Sequence, residues 1–272
     1  MTMFLKQVAE WLTYTQELLI LALVLARVMP MVVQTPWLGG KLAPMEVKMG
    51  LGLLFTLVLW PVAKGSLHGP LPTTPIPFLL LMSKEVFIGL VVGFVNSLVF
   101  TIMEMAGRLV DTARGSSMAE VLDPHSGQRD TPFGDLYYQL FLVIFMALGA
   151  HGVFFDAFFF SFASIPLDVG MPPVQNVGAL SDLITRLTSD VFVAAVLLAA
   201  PVLAAVLVTD VVFGILNRVA PQLNAYFMAM PVKAMAGVLL VIAVLDTFSQ
   251  RMGDWVVWSL RTVEQSLQVL VH

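Results

Sequence analysis

Arg27, Lys48, Glu85, Glu104, Asp210 and Lys233 are ionisable side chains set inside or at the edges of otherwise apolar stretches. A charge at membrane depth costs about 2.5–3.5 kcal/mol on insertion scales, so each such group needs a partner or a use. Two chemistries fit these residue types: a proton relay through Glu85 and Asp210, or ion pairing between helices that fixes their packing. Lys84 beside Glu85 favours pairing. Catalytic signatures are missing. The histidines His68, His125, His151 and His272 show no His-Glu-x-x-His spacing, and there is no Gly-x-Ser-x-Gly elbow or Gly-Lys-Ser/Thr phosphate loop. His151 and Asp156 stand five residues apart, off a common helical face, so a helix-end histidine outweighs a metal ligand there. With no cysteine, thiolate ligands, disulfides and cysteine nucleophiles are excluded. The expectation is a protein without catalytic residues, metal or cofactor.

The elements that must position these charges belong to a membrane-class chain. Of 272 residues, 58% are hydrophobic and 12% charged, with a mean hydropathy of +0.90. The charged share is about half that of an ordinary soluble domain. The length accommodates roughly four to seven hydrophobic segments, expected to form one compact unit over residues 1–272. A net charge of −4 and no basic stripe argue against nucleic acid as a partner. The first apolar run ends at Arg27 without a small-x-small cleavage site, so a retained helix from about Trp11 to Val33 is expected rather than a cleaved leader.

Val86–Met103, Leu136–Phe155 and Val191–Thr209 reach or approach the roughly 20 apolar residues needed to cross a bilayer. Met49–Ala63 is shorter and bounded by Lys48 and Lys64, and the last block is expected to break at Pro231 and Lys233 into Val219–Met230 and Ala234–Leu245. Short or interrupted helices are stable where protein or a water-filled cavity surrounds them, which predicts that many apolar faces are contacts with other subunits rather than with membrane lipid. Lysines and arginines are spread too evenly to give an orientation. Pro36, Gly39, Gly40 and Pro44 part the first two blocks, and Pro70, Pro72, Pro75 and Pro77 form an extended link to the third. The fold class is therefore an all-α membrane protein of hydrophobic helical hairpins with short and discontinuous helices. Its final segment, 254–272, reads as an amphipathic helix, with Trp255 and Trp258 suited either to an interfacial anchor or to a partner.

Glu85, Gly89 and Gly93 recur every four residues and so share one helix face, whose small residues let another helix approach closely. That face is a candidate assembly seam. The largest polar interruption of the chain is 104–135, which contains Arg114-Gly115-Ser116-Ser117 and Asp123-Pro124-His125-Ser126-Gly127. These are turn-forming sequences that a solvated connector would also use, but Thr112–Gly134 exceeds the usual connection between helices, as functional or disordered segments do. Met118, Val121 and Leu122 add apolar points that could seat the segment inside something larger.

Several motifs then coincide: Arg27 with Pro30 and Pro36, Lys84-Glu85 followed by Gly89 and Gly93, the Gly107–Gly134 insert, and Asn217-Arg218-Val219-Ala220-Pro221-Gln222-Leu223-Asn224 continuing to Met230-Pro231-Val232-Lys233. Over nearly its whole length the chain resembles the FliR/SctT family, membrane export-gate subunits of flagellar and injectisome type III secretion systems. Arg114-Gly115 and Asp123-Pro124-x-x-Gly127, with Pro132 and Gly134, look more like the injectisome branch. Beyond about Asp246 the likeness adds little.

The resemblance implies a non-enzymatic subunit of a helical hetero-oligomer with SctR/FliP-like and SctS/FliQ-like proteins, in contact with a SctU/FlhB-like switch protein. It implies a location in the bacterial inner membrane, with much of the gate raised toward the periplasmic side, and secreted proteins passing unfolded through a central channel. It makes 104–135 a plug-like loop, with Arg114, Gly115, Ser116, Met118, Asp123, Pro124, Gly127 and Arg129 as gating residues. Subunit assembly is expected to involve Arg27, Glu85, Gly89, Gly93, Arg218, Pro221, Asn224, Pro231 and Lys233, with Arg218 and Lys233 pairing across subunits. The rival reading is a secondary transporter whose discontinuous helices bind an ion or substrate at the midplane.

Overall fold

A computed structural model of the chain describes residues 2–40, 43–115, 131–170, 174–222 and 224–271. The described elements are α1 (Thr2–Gln34), a 3-10 turn (Pro36–Leu38), α2 (Met45–Gly65), α3 (Pro75–Arg114), α4 (Pro132–Ala147), α5 (Ala150–Ser164), α6 (Val174–Val219) and α7 (Ala225–Val271). Among the described residues there is no strand, and the protein is an all-α membrane protein. Thr15–Gln34, α2, α3 and Gly178–Val219 are each long and apolar enough to cross a membrane, and α4 with α5 makes a fifth span if the bent pair counts as one.

The helices outrun the hydropathy blocks. α2 has 21 residues rather than the expected 15, because the lysines at its ends are satisfied instead of ending it: Lys48 Nζ donates to the Gly40 carbonyl at 2.6 Å and Lys64 Nζ to Glu17 at 2.5 Å. α3 runs for 40 residues and takes in Glu104–Arg114, the first third of the polar interruption. At the other end of the chain the expected break at Pro231 is absent; this proline lies inside the 47-residue α7, as Pro30, Pro61 and Pro201 lie inside α1, α2 and α6. A proline removes one N–H but need not end a helix held by its surroundings. The interruption that does occur divides the expected Leu136–Phe155 block at Leu148–Gly149, where Gly149 adopts φ 70° and its N–H returns to the Met146 carbonyl at 3.1 Å. That left-handed residue stops the helix at little cost because it has no Cβ. The discontinuous helix on which the transporter reading rested is not found at Pro231.

The chain divides into two compact units: 1–97 with 150–185 and 258–272, and 98–149 with 186–257. In the first, α1 packs on α2 and α2 on α5, with Phe55 against Phe155 and Trp37 edge-on to Phe154 and Phe155. Its core includes Leu23, Val28, Met31, Ile88, Val92, Phe154, Phe158 and Phe162. In the second, Phe100 of α3 meets Phe141 and Phe145 of α4 at ring-centroid distances of 4.9 and 5.3 Å. Near the end of α7, Met252, Val256, Ser259, Val263 and Leu267 are buried, while Asp254, Arg261, Glu264 and Gln268 are exposed. This gives the segment two faces at helical spacing.

Candidate functional site

The neck of the polar segment is built in the second unit, where the last two turns of α3 meet the first turn of α4. Glu104, Arg108, Asp111 and Arg114 follow one another at helical spacing, and Arg108 donates to Glu104 at 2.5 Å. Asp111 is 1% exposed. Its Oδ2 accepts from the backbone N–H groups of Phe133, at 2.9 Å, and Gly134, at 3.2 Å. These are first-turn donors that α4 itself cannot satisfy, and a carboxylate is favoured at that end of a helix. Thr131 occupies the N-cap position without making a side-chain cap bond, and Pro132 has no N–H to offer. A carboxylate 22 residues earlier thus does the work of the local cap, tying the two ends of 115–131 together.

Arg114 is the second component. Its guanidinium lies 4.4 Å from the centre of the Phe133 ring, and its Nη1 is 3.8 Å from Asp111 Oδ1. Stacking on an aromatic face suits a planar guanidinium. Glycines make room for this arrangement. A Cβ at Gly107 would collide with the backbone of Phe133 and Gly134, and a Cβ at Gly237 of α7 would strike the Cδ and Nε of Arg114. Gly115 follows at φ 87°, a conformation that favours glycine. Among the residues expected to gate, Arg114 and Gly115 therefore stand at the neck, whereas Ser116, Met118, Asp123, Pro124, Gly127 and Arg129 lie outside the described residues. Asp111 and Gly237 escaped the sequence reading, which used Gly107 only as the boundary of the insert. Asp111 had a detectable signal in its three-residue spacing from Arg114.

The first unit holds a different polar centre. Arg27, Lys84 and Glu85 are all 0% exposed. Arg27 Nε donates to Glu85 Oε2, and Lys84 Nζ lies 2.8 Å from Glu85 Oε1. Two cations share one carboxylate, and the remaining donors turn to the C-terminal end of α5 and the chain beyond it. Arg27 reaches the carbonyls of Ser161 (2.9 Å) and Ile165 (2.8 Å), and Lys84 those of Pro166 (2.8 Å) and Val169 (2.8 Å). Cations are favoured at a helix C-terminus, where carbonyls lack partners. Phe162 covers the guanidinium at 4.2 Å. Gly89 and Gly93 bring α1 close enough for this: a Cβ at Gly89 would strike the Arg27 carbonyl, and one at Gly93 would lie 3.1 Å from Met31 Cα. The small-residue face thus receives α1 of the same chain, and the interhelical pairing expected for Glu85 is made with Arg27.

The other residues named for assembly lie in the second unit. Lys233 Nζ pairs with Asp210 of α6, so its partner is in the same chain. Arg218, Pro221, Asn224 and Pro231 are exposed. Around them α6 and α7 expose Leu207, Val208, Val211, Ile215, Val219, Phe227, Met235, Leu239 and Ile242. Among the described residues, no cluster of histidine, aspartate and glutamate has a geometry suited to a metal ion.

Comparison with known proteins identifies the family of the chain. Residues 18–257 match the family described as bacterial export proteins, family 1. The chain is 35% identical over 172 residues to Yop proteins translocation protein T of Yersinia pestis, covering 63% of this chain and 65% of that protein's length. It is 26% identical over 228 residues to flagellar biosynthetic protein FliR of Bacillus subtilis, covering 82% and 85%. With surface presentation of antigens protein SpaR of Shigella flexneri it shares 29% identity over 169 residues, covering 61% and 63%. The chain belongs to bacterial export protein family 1, the FliR/SctT family of type III secretion export-apparatus proteins.

Proposed function

We propose that this protein is the SctT-type subunit of an injectisome export gate, a non-enzymatic part of the channel that passes unfolded substrates across the bacterial inner membrane. The observation that carries this reading is the family match over 18–257. The injectisome branch is supported by the likeness to translocation protein T. The proposed partners are SctR/FliP-like and SctS/FliQ-like subunits and a SctU/FlhB-like switch protein. Apolar side chains exposed along α6 and α7 are the kind of surface such partners, together with membrane lipid, would cover. Arg218, Pro221, Asn224 and Pro231, all exposed beside it, are assembly residues in this reading. Arg27, Glu85, Gly89 and Gly93 serve assembly by fixing the α1–α3 packing on which the subunit's outer surface depends.

Residues 104–135 act as the plug, narrowed to 115–131 because α3 continues through Arg114 and α4 begins at Pro132. The segment 254–272 lays an amphipathic helix along the subunit, and the whole of 1–272 works as a single gate component. Co-expression with SctR-like and SctS-like proteins is the decisive experiment. A stable complex in mild detergent is expected, and a monomeric chain that moves solute alone in liposomes would overturn the reading. Deleting Gly115–Gly127 from the assembled gate should raise small-solute leakage, and unchanged leakage removes the plug assignment.

A further inference from the structure

We infer that Asp111 is the positioning residue of the loop neck, a clasp that sets where 115–131 leaves and re-enters the helices. The inference rests on the plug reading for its consequence, but its geometry is independent of that reading. A carboxylate with 1% exposure is costly to bury without partners. This one accepts two backbone N–H groups from the start of α4, where Thr131 supplies no side-chain cap. It also stands 3.8 Å from an arginine stacked on Phe133, one of the residues whose N–H it binds. The two hydrogen bonds and the stacking contact join the end of α3 to the beginning of α4, across spans of 22, 23 and 19 residues. Gly107 permits the close approach, and Gly237 leaves space on α7 for Arg114. A side chain needed merely to cap α4 would be simplest at Thr131; placing the cap on α3 makes the same hydrogen bonds close the loop.

The clasp predicts a local effect separable from assembly. The chain has no cysteine, so an introduced pair is unambiguous. Arg108→Cys with Thr131→Cys suits the purpose, since Arg108 Cγ and Thr131 Oγ1 both lie 3.1 Å from the position of a Cβ on Gly134. In the assembled complex, adding Asp111→Ala should slow disulfide formation between these sites by about tenfold, the effect of losing one to two net hydrogen bonds. Asp111→Asn keeps a carbonyl acceptor while losing the charge, and should slow it by about threefold, because charge-assisted bonds are the stronger kind. If the alanine variant does not assemble, the asparagine variant decides. Slower cross-linking with normal recovery of the complex supports the clasp, and cross-linking at the parent rate in the assembled variant overturns it. Slower cross-linking without added solute leakage supports the clasp and removes the plug reading, so the two can fail separately.

Discussion

The two polar centres of this protein solve the problem of burying charge in opposite ways. In the first unit, Arg27, Lys84 and Glu85 are withdrawn from solvent, and every cation has both a carboxylate and backbone carbonyls for partners. In the second, one buried carboxylate serves a helix N-terminus, and its arginine keeps 15% side-chain exposure at the longer separation of 3.8 Å. Removing a partner from a fully desolvated set leaves a naked charge, which is strongly destabilising. If that arginine moves away, the carboxylate still keeps the two backbone N–H groups of α4 as partners. The first centre is therefore suited to holding helices in a fixed arrangement, and the second to holding the end of α3 against the first turn of α4.

The largest expected effect comes from Glu85→Ala, which strands two buried cations and should cost about 3–5 kcal/mol. Thermal unfolding of the detergent-solubilised chain measures it, and a loss below about 1 kcal/mol, typical of an exposed pair, would erase the contrast. Gly89→Val is next. Its side chain would push α1 off α3 at the Arg27 carbonyl, and overpacking of that kind costs about 1–3 kcal/mol or more. Lower recovery of folded chain, with the loop neck intact by cross-linking, would confine the damage to the first unit. Gly237→Val should displace Arg114 from Phe133 and loosen the neck while changing stability by only about 0.5–1.5 kcal/mol, the worth of a partly exposed stacking contact. A greater loss of stability than that produced by Gly89→Val would reverse the comparison. The smallest effect belongs to Lys233→Ala. Asp210 is 48% exposed on its side chain, so breaking this pair should change the stability of the isolated chain by under about 1 kcal/mol. Recovery of the assembled complex should fall with Lys233→Ala and Arg218→Ala, and normal recovery would take both residues out of assembly.

Hydropathy and spacing were sufficient for the class of fold and for the residues of the first centre. Arg27 and Glu85 are conspicuous as charges in apolar helices, and Gly89 and Gly93 follow Glu85 on one face. What spacing could not supply was the identity of the helix they receive, because Arg27 and Glu85 are 58 residues apart and the carbonyls bound by Arg27 lie more than 130 residues away. At the neck the error was local. Polar composition made Glu104–Arg114 look like loop, although Glu104 with Arg108 and Asp111 with Arg114 have the spacing of helical pairs. Pro231 misled in the other direction, since a proline's effect depends on whether neighbouring structure holds the helix across it. Gly149 looked unremarkable in an aromatic block, yet its positive φ makes the interruption.

Sharing one carboxylate between Arg27 and Lys84 also sets a timetable for biosynthesis. Arg27 leaves the ribosome 58 residues ahead of Glu85 and 134 ahead of Ser161. At about 5–20 residues per second, the arginine waits roughly 3–12 s for its counter-ion and about 7–27 s for its first carbonyl. Throughout that interval α1 is a helix that cannot be released into lipid without an uncompensated cation. On insertion scales such a cation costs about 2.5–3.5 kcal/mol, a penalty that the arrival of α3 with Glu85 relieves.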